Sequence, residues 1–298
     1  MSRDDELAEA YDTARLRLTR MAYSILGSHS DAEDAVSDAW LRLVSADNRE
    51  RVLNIEAWST VAVARVAYDA LRSTRSRRET YVGPWLPDPL VEHLPSGVDP
   101  ADRITLDDTV SYALLIVLES LTPAERTAFV LHDLFALPFQ EVAAAVGRSP
   151  DAVRQLASRA RSHIRASTPR LKVDAENHRQ TVTAFLDAAA GGNLQGLLSL
   201  LDPGVVTTCD GGGQVSAARR PVAGADKVSR YIMGLFTIAS DREARLVMVN
   251  GALGFACFRH GVLDFVASVT TVAGQIATID IVRAPGKLEQ ALADGRKQ

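Results

Sequence analysis

The sequence predicts a multidomain chain: two all-α units followed by an α+β domain. Three observations predict this. Helical periodicity runs through roughly the first 168 residues and is broken by one Pro-rich segment. Inside that stretch a helix-turn-helix pattern covers Phe139 to Arg165, and beyond about Lys172 the composition shifts toward runs of Val, Ile, Phe and Thr. A length of 298 residues accommodates two or three compact units, each of roughly 100–150 residues. With 47% hydrophobic residues, each unit can bury a core.

Residues from about Glu6 to Leu26 form an amphipathic helix, with Leu7, Tyr11, Leu18 and Ile25 at helical intervals and Gly27 as its stop. Ser30 and Glu33 have capping-box spacing for a second helix, which buries Ala32, Val36, Ala39 and Leu43 and turns Asp31, Asp34 and Asp38 outward. Such an acidic face is either solvated or a docking surface for a basic partner. A polar stretch, Ser45 to Asn54, precedes a third helix from Ile55, which ends in the basic tail Leu71 to Glu79.

From Tyr81 to Pro100, five prolines forbid continuous helix and favour extended backbone. This is a linker, yet Trp85, Leu86 and Leu90 are too apolar for a purely solvated tether. Helix returns over about Ala101 to Leu121, and Thr122-Pro123 opens another.

The helix-turn-helix has clear local punctuation. Val142, Ala143 and Val146 share one face and Gly147 ends the first helix; Ser149 is placed to cap the second, with Pro150 at its first position. In the second helix Val153, Leu156, Ala157, Ala160 and Ile164 form the buried stripe. Arg154, Ser158, Arg161 and Arg165 line the opposite side, flanked by Gln155 and Arg159. A solvated basic face would look the same; in a DNA-binding helix-turn-helix this surface enters the major groove, where Arg and Gln read base edges.

A net charge of −4 and a pI near 5.9 exclude DNA binding by bulk charge, so any nucleic-acid surface is a local patch. The arginines do cluster, at Arg72, Arg75, Arg77 and Arg78 and again from Arg154 to Arg165. Cys209 and Cys257 lie in no metal-binding spacing, so neither a metal nor a cofactor is expected, and a reduced cytoplasmic setting fits. No apolar run approaches the ~20 residues of a membrane span, and the N-terminus is acidic and polar, unlike a secretory signal.

Beyond Lys172, helices are expected at about 175–190, through Leu197 to Leu201 and at about 226–238, with a strand at Val205 to Thr208 entering the Gly cluster Asp210 to Gly213. Apolar runs at about 244–250, 252–259, 262–272 and 275–283 are separated by hairpin turns such as Asn250-Gly251, which gives an antiparallel meander.

Three pieces in order, Asp31 to Leu43, Asp69 to Glu79 and Leu121 to Arg161, resemble bacterial extracytoplasmic-function RNA polymerase sigma factors over most of the first 168 residues. The linker words YVGPWLPDPL and the later DGGG resemble the SigJ-like subgroup, which carries a SnoaL-like, nuclear transport factor 2-like cone domain. The resemblance implies a region 2 helical bundle (1–80), a linker (81–105), a region 4 helix-turn-helix (106–169) and an α+β SnoaL-like regulatory domain (173–290). It implies core RNA polymerase as partner, through the β′ clamp helices and β flap, with Asp31, Asp34 and Asp38 docking, and promoter DNA as the other partner. For the −10 element it implies Asn48, Arg51, Asn54, Arg65, Arg72 and Arg75. For the −35 element it implies Ser149, Arg154, Gln155, Ser158, Arg159, Arg161 and Arg165. Trp85, Leu86 and Pro87 with Asp210, Gly211, Gly212 and Gly213 become interdomain regulatory contacts. Two departures stand out: Val66 where the family often has Asn, and Ala284 to Leu288 where the subgroup has Asn-Pro-Asp-Lys-Leu.

The cone fold also hosts enzymes, for which Asp210, His260, Asp264 and Asp280 are the available acid–base candidates, but no spacing gathers them into a site. A small ligand in an apolar cone is a further expectation. The alternative for the whole chain is a free-standing helix-turn-helix regulator with a ligand-sensing C-terminal domain; it would need neither the acidic helix nor the basic tail.

Overall fold

The computed structural model describes residues 2–79, 81–93, 110–166, 175–237 and 242–294. They belong to two compact units, one drawn from Met1–Glu79 with Val117–Ala166, the other from Thr80–Ile116 with Ser167–Gln298.

The first unit is all helix. Helix α1 (Arg3–Leu26) starts in a capping box between Ser2 and Asp5 and ends at Gly27, whose φ of 69° suits glycine. Helix α2 (His29–Asp47) is capped by Ser28, which accepts from the Asp31 amide at 3.4 Å, so Ser30 and Glu33 lie inside the helix and form no capping box. Helix α3 (Ile55–Glu79) completes the bundle around Leu18, Met21, Ile25, Leu26, Val36, Leu43 and Val63. Tyr11 joins α1 to α2 by donating to the Val36 carbonyl at 2.6 Å, and burial pushes its phenol up to about 12. Arg3 bonds both Asp47 and the Val52 carbonyl, and the Val52 amide bonds Asp47 in turn, so the loop after α2 is tied to the start of α1. The Arg3 guanidinium holds the Asp47 carboxyl down at about 2.

The same unit contains the helix-turn-helix. A capping box of Thr122 and Glu125 starts α5 (Pro123–Phe129), which continues as a π-helical turn, Val130–Leu134. Then come α6 (Phe139–Val146) and α7 (Pro150–Ala166). Gly147 stops α6 with φ of 67°, and Ser149 caps α7, both as the sequence requires. Of the helix expected over 101–121, the structure shows α4 (Tyr112–Glu119); residues 101–109 lie outside the described residues.

The second unit is the α+β cone. Helices α8 (Ala175–Ala190), α9 (Leu194–Leu200) and α10 (Ala225–Thr237) pack on one face of a seven-stranded sheet of order β1-β4-β5-β6-β7-β2-β3. Strands β4 (Arg242–Val249), β5 (Ala252–Arg259), β6 (Val262–Val272) and β7 (Gln275–Val282) form the expected antiparallel meander. Three features are additions to the sequence reading. Strand β2 (Leu201–Asp210), with its short partner β3 (Val222–Ala223), joins β7 in parallel, so the sheet is mixed. The linker contributes an edge strand, β1 (Val91–His93), antiparallel to β4. Helix α11 (Pro285–Asp294) packs on β6 and β1.

Strands β5 and β6 are buried almost throughout, so both faces of the sheet need cover. Phe185, Phe255 and Phe265 fill the cone interior with ring centroids 6.1 and 6.3 Å apart, in tilted and edge-on contact. His178 sits beside them, 4% exposed, with Nε2 2.8 Å from the Leu253 carbonyl and Nδ1 3.0 Å from the Thr271 hydroxyl. A carbonyl only accepts, so Nε2 carries a proton. Burial lowers the His178 pKa, opposed by the Leu253 bond. The unfolded chain, with an ordinary pKa of about 6.5, therefore binds protons more readily than the folded one. The stability of this unit should fall as pH drops below that value. Thermal unfolding from pH 7 to 5 checks this: His178→Gln should flatten the dependence, and an equally steep slope in the variant would remove His178 as its cause.

Candidate nucleic-acid interface and linker clasp

The −35 candidates lie on one side of α7, as the arginine spacing requires. Arg154, Gln155, Ser158, Arg159 and Arg165 are exposed and Arg161 is half-buried. They are not equivalent. Arg154 pairs with Asp151 and lies over the Phe139 ring, 5.4 Å from its centroid, so it is held in place yet outward-facing. Arg159 reaches Glu125 at 2.8 Å and Arg161 reaches Asp133 at 2.9 Å. Burial raises the Glu125 pKa, but bonds from Thr122 and Arg159 outweigh it and the net shift is downward. These pairs fasten α7 to α5 and to the π-helical turn. Exposed pairs are worth only about 0–1 kcal/mol, so a phosphate can displace them. Ser149 is occupied as the α7 cap.

The −10 candidates surround the loop between α2 and α3 and the outer side of α3. Asn48, Arg51, Asn54, Arg65 and Arg72 are exposed. Asn54 has a second duty that the sequence reading missed: its side-chain oxygen accepts from the Ala57 amide at 3.0 Å and caps α3. With Asp47 at one end and Asn54 at the other, the loop is anchored on both sides and presents Leu53 at 91% exposure. Arg72 stacks over Tyr68, 5.6 Å from its centroid. Arg75 lies on α3, its side chain outside the described residues. Val66 is buried in the bundle, so it offers nothing to DNA. Asp34 and Asp38 are exposed on α2 and Asp31 is half-buried, and among the described residues no ion pair engages them.

In the second unit the linker is clasped, and Asp210 is the centre of the clasp. Its carboxylate is fully buried and accepts from the Tyr81 hydroxyl at 2.6 Å, the Leu86 amide at 2.9 Å, the Gly212 amide at 2.9 Å and the Lys287 ammonium at 2.9 Å. Burial first, and then the Asp210 carboxylate, hold the Tyr81 phenol well above its usual range. Lys287 also donates to the Leu86 carbonyl, lies 3.9 Å from Asp88, and has the Trp85 ring 4.1 Å away for a cation–π contact. Trp85 is thus half-buried against the cone domain, and Leu86 and Pro87 are buried. The glycines permit this approach. Gly212 and Gly213 have φ of 66° and 70°; a Cβ on them would stand 3.0 Å from Ala284 Cβ and 3.2 Å from Val82 Cβ. Asn250, in the β4–β5 turn, clasps the linker further along: its side chain accepts from the Leu90 amide and its own amide donates to the Leu90 carbonyl, both at 2.9 Å. In the partial C-terminal signature, the lysine at position 287 is the residue that makes these contacts.

The enzyme candidates do not converge. Asp210 is consumed by the clasp, Asp264 is paired with Arg242 and Arg283, His260 is exposed in a turn, and Asp280 is buried in β7. No group of three metal-binding side chains occurs among the described residues. A cavity of about 180 Å³ lies at the seam between Val82–Pro84 and the loop from Gly211 to Arg219, outside the aromatic interior. No helix among the described residues is long and apolar enough to cross a membrane.

Comparison with known proteins decides the family. Residues 10–77 match the model of sigma-70 region 2 and residues 112–164 that of sigma-70 region 4. The chain is 42% identical over 248 residues to the ECF RNA polymerase sigma factor SigJ of Mycobacterium tuberculosis, covering 82% of this chain and 78% of SigJ. The chain belongs to the extracytoplasmic-function RNA polymerase sigma factors. A probable ECF sigma factor SigI of the same species is 34% identical, with 99% of each chain covered. The crystal structure of M. tuberculosis SigJ superimposes with a TM-score of 0.74 at 35% identity, over 94% of this chain and 97% of that one. This sigma factor is therefore a non-enzymatic initiation factor that binds core RNA polymerase and directs promoter-specific transcription.

Proposed function

We propose that this sigma factor reads promoters with two surfaces and is modulated by its own C-terminal domain through the linker that joins them. Residues 1–80 act as region 2 and 106–169 as region 4, joined by the linker 81–105, with 173–290 as the regulatory domain. The acidic side of α2 (Asp31, Asp34, Asp38) docks on the β′ clamp helices, and region 4 docks on the β flap. The loop Asn48–Asn54 with Arg65, Arg72 and Arg75 meets the separated −10 strands, whose exposed bases suit polar pockets and aromatic side chains. Arg154, Gln155, Ser158 and Arg165 read or grip the −35 duplex, and Arg159 and Arg161 exchange their carboxylate partners for phosphates. The work takes place in the cytoplasm, with the polymerase. A small ligand, if one acts here, suits the seam between linker and loop better than the ring-filled interior.

The observation that carries the modulatory part is the Asp210 clasp. The chain between the two DNA-reading regions is bonded to the C-terminal domain at Tyr81, Leu86 and Leu90. The docking surface is tested with purified core polymerase. Replacing Asp31, Asp34 and Asp38 together with Lys should weaken core binding at least tenfold, mostly through association rate. Helix content should survive, because the buried stripe is untouched. Core binding and promoter-dependent transcript equal to wild type would reduce this face to solvated surface.

A further inference from the structure

Helix α5 runs on into the π-helical turn Val130–Leu134, closed by a bond from the Phe135 amide to the Val130 carbonyl at 3.1 Å. A π turn holds one residue more than an α turn, so its later side chains are rotated by about 100° from where α spacing would put them. The chain leaves the turn through Ala136, whose φ of 56° is left-handed backbone that a residue with a Cβ seldom takes up. Such conformations persist where the surroundings fix them. Here Val130 and Leu131 are fully buried, and the Leu137 amide donates to the Leu131 carbonyl at 2.9 Å.

The turn directs two neighbouring side chains toward the arginines of α7. Asp133 pairs with Arg161 directly. His132 acts through a ring. It stacks on Phe139, the first residue of α6, with centroids 3.8 Å apart and planes 27° apart. Its Nδ1 lies 2.9 Å from the Leu137 carbonyl, which only accepts, so Nδ1 carries a proton and the bond fixes the ring's rotation. The same Phe139 ring lies under the Arg154 guanidinium. His132 and Phe139 are half-buried and Arg154 is exposed, so the contacts lead from the interior of the helix-turn-helix to its outer face.

Two groups therefore hold Arg154, and they hold it differently. Asp151 bonds its N–H edge, the edge that would fork onto a guanine. An aromatic ring engages the flat face of a guanidinium and leaves that edge free. On DNA the Asp151 bond must give way, while the Phe139 contact can persist and spare the ordering of a long side chain. Arg154 is the fifth residue of α7, near the end of a recognition helix that meets base edges.

We propose that His132 and Phe139 are positioning residues for the −35 contact: the π-helical turn sets His132 against Phe139, and this stack aims Arg154 at a base edge. The proposal rests on the −35 reading of α7. The test measures discrimination, the affinity of holoenzyme for its promoter over the same promoter with a scrambled −35 element. His132→Ala and Phe139→Leu should each lower discrimination about three- to tenfold and leave affinity for the scrambled promoter as it was. His132→Phe and Phe139→Tyr, which keep the rings, should recover most of the loss. Phe139→Leu added to Arg154→Ala should lower discrimination no further, because both act on one contact. A merely structural role would weaken binding to both promoters alike, and that result overturns the proposal. So does wild-type discrimination in His132→Ala and Phe139→Leu alongside its loss in Arg154→Ala. If Phe139→Leu fails to fold, His132→Ala decides alone, with His132→Phe as its control. Wild-type discrimination in Arg154→Ala would instead sink the recognition-helix reading, and the positioning role with it.

Discussion

Asp210→Ala should destabilise the C-terminal unit by about 3–5 kcal/mol, the cost typical of breaking a buried ion pair by removing one partner. The variant leaves the Lys287 ammonium, the Tyr81 hydroxyl and the Leu86 and Gly212 amides without their acceptor, in a place where Asp210 itself has no exposure. Urea unfolding of the full chain measures the loss. Asp210→Asn, which keeps the shape but drops the charge, should fall between the two. The linker should also come loose, so promoter-dependent transcript should change in Asp210→Ala. Trp85→Ala removes the ring over Lys287 and should reproduce part of that change, and the double variant should be non-additive because both act on one contact. Additive effects would mean that Trp85 and Asp210 act separately. Wild-type transcript in both single variants would make the C-terminal domain a passenger.

Arg154→Ala should weaken binding to a −35 duplex by about 1–3 kcal/mol, roughly five- to 150-fold, without unfolding region 4. Its guanidinium is oriented by Asp151 and the Phe139 ring while its side chain stays 52% exposed, so little ordering remains to be done on binding. Arg161→Ala should show a mixed effect. It removes a charge from the DNA face and also the Asp133 pair that helps hold α7, so its loss of DNA affinity should come with a lower melting temperature. Titration against promoter and scrambled duplexes separates the roles: a base-reading Arg loses affinity for the promoter alone, and a phosphate-binding one loses it for both. If Arg154→Ala binds both duplexes as wild type does at moderate salt, α7 is not the recognition helix.

What was legible in the sequence was local. Gly147, Ser149 and Pro150 mark the turn because caps act over three or four residues. The hairpins at Asn250-Gly251 and His260-Gly261 show because left-handed backbone restricts residue choice. What escaped was pairing at a distance. Asp210 and Lys287 are 77 residues apart, and the resemblance that set the aspartate and glycines against the linker gave no sign of this lysine. The parallel join of β2 to β7 leaves no alternation of its own, and the strand in the linker is only three residues long. On α7 the spacing placed the arginines on one face, but it could not show that Arg159 and Arg161 are tied to Glu125 and Asp133, which lie on other elements. Asn54 read as a polar loop residue, when its carboxamide also starts a helix.

The short linker strand has one more effect. Among the described residues, β1 is the only neighbour on the outer side of β4, and it covers only Val247, Met248 and Val249. The rest of that edge carries Arg242, Glu243 and Arg245, charged side chains of the kind that discourage a foreign strand from pairing. The uncharged, aliphatic end is the part kept under the chain's own segment. A sigma factor whose linker has let go therefore exposes a bare, sticky β-edge three residues long, a template for self-association.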